Sequence, residues 1–281
     1  MRLEIGSLLL SAVLAAGIAF SQPVRKSASG STAAIFRSSM AQDSHIAVVV
    51  ELFTSEGCSS CPPADKLLLW LAASQPIEGV QIIPLSEHVD YWNHLGWIDP
   101  FSSPVFSRRQ REYSESLQSE AYTPQMVIDG KAAFVGSDQN RALAAISRDL
   151  KEPRVMVSIQ PVRGADTSGQ NSASFAIKVG EHPRLNLRGK ALVFLAITED
   201  DLQSNVRSGE NSGRTLAHTG VVRELKTIGT LDVQPDAVFQ ANAVIKISST
   251  WKRKDLRAVA FLEHQGSHRI LGAAETPFPS L

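Results

Sequence analysis

IAVVVELFTSEGCSSCPPADKLLLWLAA, residues 46–73, is the stretch from which the rest of the chain is read. Ile46 to Phe53 is a nearly continuous β-branched and aliphatic run, the pattern of a strand buried on both faces of a sheet. Thr54 to Gly57 is a polar turn. Pro62 and Pro63 lack the N–H that a helix interior needs, but the first turn does not use those donors. The double proline therefore starts a helix at or just before Cys61. Leu67, Leu68, Trp70 and Leu71 continue it at helical spacing. A C-x-x-C pair thus stands at a helix N-terminus, where unpaired N–H groups and partial positive charge stabilise a thiolate. The thiolate is the nucleophile of disulfide exchange. Cys58, on the side expected to be exposed, is the attacking thiol, and Cys61, one turn inward, resolves the mixed disulfide. Ser59 and Ser60 offer donors to the Cys58 sulfur, whereas Glu56 opposes its ionisation.

Working outward, Val80–Leu85 reads as a parallel strand and Pro104–Ser119 as a polar helix. AYTPQMVIDG, residues 121–130, holds a short strand, with Asp129-Gly130 as a hairpin signal before Ala132–Val135. Ser137 or Asp138 caps a last helix bearing Leu143, Ile146 and Leu150. After Pro153 the pattern changes to recurring strands (VMVSI, ASFAIKV, ALVFLAI, VVREL, AVIKI, AVAFL and ILGAA) with no intervening helix. The expectation is an α/β domain over 46–152 followed by an all-β, antiparallel sandwich-like domain over 153–281.

VVVELFTSEGCSSCPP together with Thr123-Pro124 resembles the thioredoxin-like fold over about residues 46–150. More narrowly, FTSEGCSSCPPAD, EHVDYWNHLGWIDPFSSPVFSRRQ and GENSGRTLAH are similar to segments of a family of exported thioredoxin-like bacterial proteins defined only as a domain of unknown function. The resemblance implies that the Thr123-Pro124 bond is cis and that this edge binds substrate. It also implies a buried carboxylate near the position of Glu51. Glu51 either accepts the proton of Cys61 or pairs with a Lys or Arg at the strand end.

EHVDYWNHLGWIDPF, residues 87–101, has no counterpart in thioredoxin itself. His88, Asp90, His94 and Asp99 lie among Tyr91, Trp92 and Trp97. One reading makes Tyr91 and Trp92 a wall beside Cys58 that selects substrate. A second joins His88 or His94 to the two cysteines as a copper or zinc site. The reading preferred for the histidines is aromatic packing between the two domains, with the imidazoles hydrogen-bonded at the surface. No metal signature or cofactor motif is present. GENSGRTLAH, residues 209–218, lacks the phosphate-loop pattern and reads as a long hairpin loop, from which Arg214 or His218 is a candidate to reach the cysteine face. No nucleophile elbow supports hydrolase chemistry.

Lys plus Arg and Asp plus Glu balance at 28 each over 281 residues, so charge does not point to nucleic acid or to an anionic membrane. The two cysteines are too close in sequence to staple distant parts of the fold. Residues 1–21 read as an export signal with a small-x-small end at Ala19-Phe20-Ser21, the competing reading being an uncleaved anchor. Residues 22–45 read as a flexible tether. The expected location is periplasmic or secreted, with no membrane contact after cleavage. The expected function is thiol–disulfide exchange with a protein or small thiol or disulfide substrate. The alternatives are a metal-delivery module using the dithiol and a noncatalytic interaction protein.

Overall fold

In a computed structural model, which describes residues 45–162, 171–181 and 187–279, the strand read first is β1 (Ile46–Thr54), and α1 (Pro62–Ser74) follows it with Cys61 as its N-cap. The export signal expected at 1–21 and, but for His45, the tether expected at 22–45 lie outside the described residues. Next come β2 (Val80–His88), α2 (Pro104–Ser116), β3 (Gln125–Ile128), β4 (Ala132–Val135) and α3 (Gln139–Asp149). Ser103 caps α2 through its hydroxyl, and Asp138 caps α3 by accepting from the Arg141 N–H.

β1 runs parallel to β2 and antiparallel to β3, which pairs with β4. Side chains alternate across the sheet. Val48, Val50 and Leu52 face Ala64, Leu67, Leu68 and Leu71 of α1 and Ala142 and Ile146 of α3. Val49 faces the other way, with Ile83 and Leu85 of β2.

The second half supplies β5 (Val157–Pro161), β6 (Ser172–Val179), β7 (Lys190–Glu199), β8 (Leu202–Asn205), β9 (Thr215–His218), β10 (Val221–Asp232), β11 (Phe239–Lys246), β12 (Leu256–His264) and β13 (Ile270–Pro277). Among the described residues the chain is therefore a sheet-rich mixed α/β protein of three α-helices and thirteen strands. Its main sheet has eight strands in the order β13-β12-β7-β10-β2-β1-β3-β4. β5, β6 and β11 form a second sheet, packing Phe175, Ile177 and Ile245 against Val193, Leu195 and Leu262, and β8 pairs with β9 in a separate two-stranded sheet. The all-β half expected as a separate antiparallel sandwich thus shares its principal sheet with the residues before Pro153. The physical reason is the edge of β2, an apolar parallel strand whose unpaired backbone needs a partner. β10 provides it where Val221 meets Ser86, and the Ser86 N–H donates to the Gly220 carbonyl at 2.7 Å. Gly220 has φ +59°, and a Cβ there would run into the Pro84 carbonyl.

The sheet then coils back on itself. Val259, Phe261 and Ile270 pack on Val49, Ile83 and Leu85, and the Ile270 N–H donates to the Asp129 carbonyl at 2.9 Å. At this closure Gly130, with φ +64°, lies against the His268 carbonyl where no Cβ fits.

Candidate functional site

The turn after β1 delivers the cysteines to α1. The Cys58 N–H donates to the Ser55 carbonyl (3.1 Å), and Cys61 N–H to the Cys58 carbonyl (3.2 Å). Cys58 and Cys61 are joined as a disulfide, with their Cα atoms 5.5 Å apart. Ser60 Oγ lies 3.2 Å from Cys58 Sγ. Both cysteines are 0% exposed, which corrects the expectation of an exposed Cys58.

The cover comes from the loop 206–214 between β8 and β9. Asn211 Nδ2 donates to the carbonyls of Glu56 (2.8 Å) and Cys58 (2.9 Å). Glu210 accepts from the Ser59 N–H at 3.0 Å, and Ser208 donates to the Gly96 carbonyl at 2.6 Å. Arg214 donates to the Asn211 side-chain oxygen and so braces the loop (3.0 Å). Ser59 and Ser60 remain exposed beside it.

The 87–101 segment reaches the cysteine turn through Trp92. A Cβ added to Gly57 would meet Trp92 Cβ, so Trp92 lies against the cysteine turn. Its indole N–H donates to Thr123 Oγ1 at 2.8 Å. Thr123-Pro124 is a cis peptide, and Pro124, Leu52 and Ala64 of α1 converge around Gly136. Trp92, Thr123 and Pro124 therefore gather at the cysteine end of α1. Tyr91 donates its hydroxyl to Gln110 at 3.1 Å and also interacts through it with the Thr123 side chain.

His88 is buried rather than at the surface, with Nδ1 2.7 Å from Asp99 Oδ2. The same Asp99 oxygen accepts the Glu56 N–H at 2.8 Å. Glu56 in turn receives the Trp97 indole N–H (2.8 Å) and lies 3.1 Å from His218 Nε2. The two imidazoles meet edge to face at 4.9 Å, and Phe101 packs against both. Burial pulls His88 down, but Asp99, with Asp65 and Glu56 behind it, outweighs burial and holds it above its usual range. Burial pushes Asp99 up, and His88 with the Glu56 and Phe101 N–H groups more than reverses this. Asp65 is one turn beyond Cys61 in α1, with Oδ1 accepting from Thr54 Oγ1 at 2.8 Å. Burial raises its carboxyl, and His218 and His88 offset this only in part. His94 is exposed and outside this group. Among the described residues no three His, Cys, Asp or Glu side chains are arranged to hold a metal.

Glu51 belongs to a different cluster. It points away from α1 and receives Arg109 Nε at 2.6 Å and the Tyr113 hydroxyl at 2.5 Å. Arg109 also lies 3.5 Å from Glu87 and 2.7 Å from Glu263. Burial, then Glu51, drives the Glu87 carboxyl far above its usual range. Of the two readings of Glu51, pairing with an arginine is the one found, and a role beside Cys61 is corrected. β1 alternation is the cause: Glu51 shares its side with Val49, not with the α1-facing Val50 and Leu52. Sequence reasoning misses Asp65, Glu210 and Asn211 as site residues and names Asp99 only as a member of the aromatic segment, although all four lie within quoted stretches.

Fold and site together define a sheet-rich mixed α/β protein with a C-x-x-C disulfide at a helix start, roofed by a loop from its second half. The chain belongs to the family described as protein of unknown function (DUF1223), which matches residues 49–263. It is similar to a protein of Agrobacterium tumefaciens solved by X-ray crystallography. The two are 26% identical with a TM-score of 0.61, over 84% of this chain and 96% of that one. HBP35 of Porphyromonas gingivalis shares the fold at 15% identity and a TM-score of 0.62, over 83% of this chain and 76% of that one. No curated protein matches the sequence.

Proposed function

We propose that this protein is a thiol–disulfide oxidoreductase acting outside the cytoplasm, built on a thioredoxin-like unit at 46–152. The observation that carries the reading is the Cys58–Cys61 disulfide at the start of α1. It is supported by the parallel β1–β2 pair, the antiparallel β3–β4 pair and the gathering of Trp92, Thr123 and Pro124 at the same end. The export pattern of the first 21 residues and the confinement of cysteine to this one pair suit an oxidising compartment.

In the reducing direction, the Cys58 thiolate attacks one sulfur of a protein or small-molecule disulfide, and the other sulfur leaves as a thiolate. Cys61 then attacks Sγ of Cys58, forming the intramolecular disulfide and releasing the second substrate thiolate. Two electrons pass from the pair to the substrate, and an external dithiol restores the reduced pair. The oxidising direction is the same sequence run backwards. Trp92, Thr123 and Pro124 form the substrate edge.

The test is insulin reduction and reactivation of a scrambled disulfide protein, with Cys58→Ser and Cys61→Ser alongside. The wild type should act in at least one direction. Cys58→Ser should be inactive, and Cys61→Ser should accumulate a mixed disulfide on Cys58. A wild-type pair that cycles with dithiothreitol but exchanges with neither substrate would sink the proposal.

A further inference from the structure

β10 pairs with β2 only where Val221 meets Ser86, and along β7 its register slips between Val222 and Glu224. The extra residue at that slip is Arg223. A bulge of this kind bends its strand and re-aims the side chain it carries. Here Arg223 lines a cavity of about 350 Å³ formed by β10, by the 100–106 segment that leads into α2, and by Trp251. Ligand pockets run from about 300 to 1,000 Å³, so this one is of a size for a small molecule. Of its lining residues Phe106 and Val222 are buried, while Pro100 and Val105 are exposed.

The Arg223 guanidinium is held but not satisfied. Its Cζ lies 5.2 Å from the ring centre of Phe101 and 5.5 Å from that of Trp251, within the range of cation–π contact. Rings stacked on a guanidinium cover its faces and leave its in-plane N–H donors available. Among the described residues those donors make no hydrogen bond. Arg223 Nε comes to 3.4 Å from Glu199 Oε2, a buried oxygen that itself has no hydrogen-bond partner. The other Glu199 oxygen already accepts the Lys252 N–H at 2.8 Å. Burial pulls the Arg223 guanidinium below its usual range, and Glu199 offsets this only in part. Glu224 also lines the cavity, but Lys226 pairs with it at 2.6 Å. The cavity thus presents an under-compensated cation with spare donors, and its own carboxylate is already answered. Phe106, Val222, Leu225 and Trp251 make the rest of it apolar. A guanidinium fork of this kind matches a carboxylate, and such walls match a hydrocarbon or aromatic body.

We propose that this cavity is a binding site for a small organic carboxylate, with the acid group taken by Arg223 and an apolar or aromatic body lodged against Trp251 and Phe106. The site is distinct from the cysteine pair, since no residue of the 54–61 turn lines it. It therefore stands whether or not the protein exchanges disulfides.

The test is a titration of the protein with phenylacetate, phenylacetamide and acetate, followed by amide NMR. Phenylacetate should shift the Trp251 indole N–H and the backbone amides of Phe101, Phe106 and Arg223 along a saturable curve. Phenylacetamide has nearly the same shape without the charge. It should bind at least about tenfold more weakly, the loss expected when a hydrogen bond to a charged group becomes a neutral one. Acetate keeps the charge but lacks the ring, and should be weakened at least as much. Arg223→Gln, whose amide can still donate to Glu199, should bring the affinity for phenylacetate down to that for phenylacetamide. Trp251→Leu should weaken phenylacetate while leaving its preference over the amide in place. If Arg223→Gln fails to fold, the comparison of acid with amide on the wild-type protein decides the matter. Equal affinity for acid and amide, shifts that fall outside these residues, or the absence of saturation with phenylacetate would overturn the proposal.

Discussion

Arg109 is a single side chain around which three buried carboxyl groups gather. Its guanidinium serves Glu51, Glu87 and Glu263 and stacks near the rings of Tyr113, Phe194 and Phe261. Removing one partner of a buried ionic group leaves the others uncompensated, at a cost of about 3–5 kcal/mol. Arg109→Met should therefore lower the free energy of urea unfolding by that amount, and a loss below about 1 kcal/mol would show the cluster to be solvated. Glu51 is legible in the sequence as a carboxylate in an apolar strand, but its direction is not. Ile46–Phe53 is apolar on both faces, so the pattern does not say which face α1 covers. Asp65 is hidden for another reason. An acidic residue in the first turn of a helix is ordinarily explained by the helix dipole, which gives no sign that the side chain is buried within electrostatic reach of His88 and His218.

Among the elements, those with strong local grammar are readable in advance. β1, α1, β2, α2, β3, β4 and α3 follow apolar runs, prolines and caps, and Pro62-Pro63 marks the start of α1 to within a residue. β8 and β9 escape a sequence reading because LQSN and TLAH are short, polar strands stabilised by pairing with each other. The roof over Cys58 is equally unreadable, since Asn211 and Cys58 are 153 residues apart and no local signal joins them. That roof is held by few bonds. Asn211→Ala deletes the two hydrogen bonds that join the loop to the cysteine turn, each contributing about 0.5–1.5 kcal/mol, together with the brace from Arg214, so the loop should open some 10- to 100-fold more often. In the reduced protein, alkylation of Cys58 by iodoacetamide should accelerate by a similar factor. An unchanged rate would mean that the thiol is reached by a route that does not cross this loop.

For the molecule as a whole, the closure of the coiled sheet converges on Asp129. Its side chain accepts from the Val49 N–H at 2.8 Å and pairs with Arg154, while its carbonyl receives the Ile270 N–H. It thereby ties β1 and the β3–β4 turn to Arg154, just past α3, and to β13, a link between the two ends of the sheet that no sequence pattern announces. Burial, against an opposing Arg154 and with Asp149 adding repulsion, raises the Asp129 carboxyl from 3.8 to about 7. The sign follows from proton counting. Below about pH 4 both folded and unfolded chains hold this proton, and the folded form suffers no penalty. Between about pH 4 and 7 the unfolded chain has released it while the folded chain keeps it, so stability falls as pH rises. Asp65 and Glu87 act in the same sense, and Asp99 and Glu263 in the opposite one, so the wild-type profile is a sum. Asp129→Asn isolates one contribution, because an amide oxygen still accepts from Val49 but nothing there titrates. The difference in unfolding free energy, wild type minus Asp129→Asn, should decrease from pH 4 to pH 7 by up to about 1.4 kcal/mol per unit. Urea melts at pH 4, 5.5 and 7 check it. Parallel profiles would mean that Arg154 keeps Asp129 ionised throughout, and the tie between the sheet ends would then be an ion pair insensitive to pH over this range.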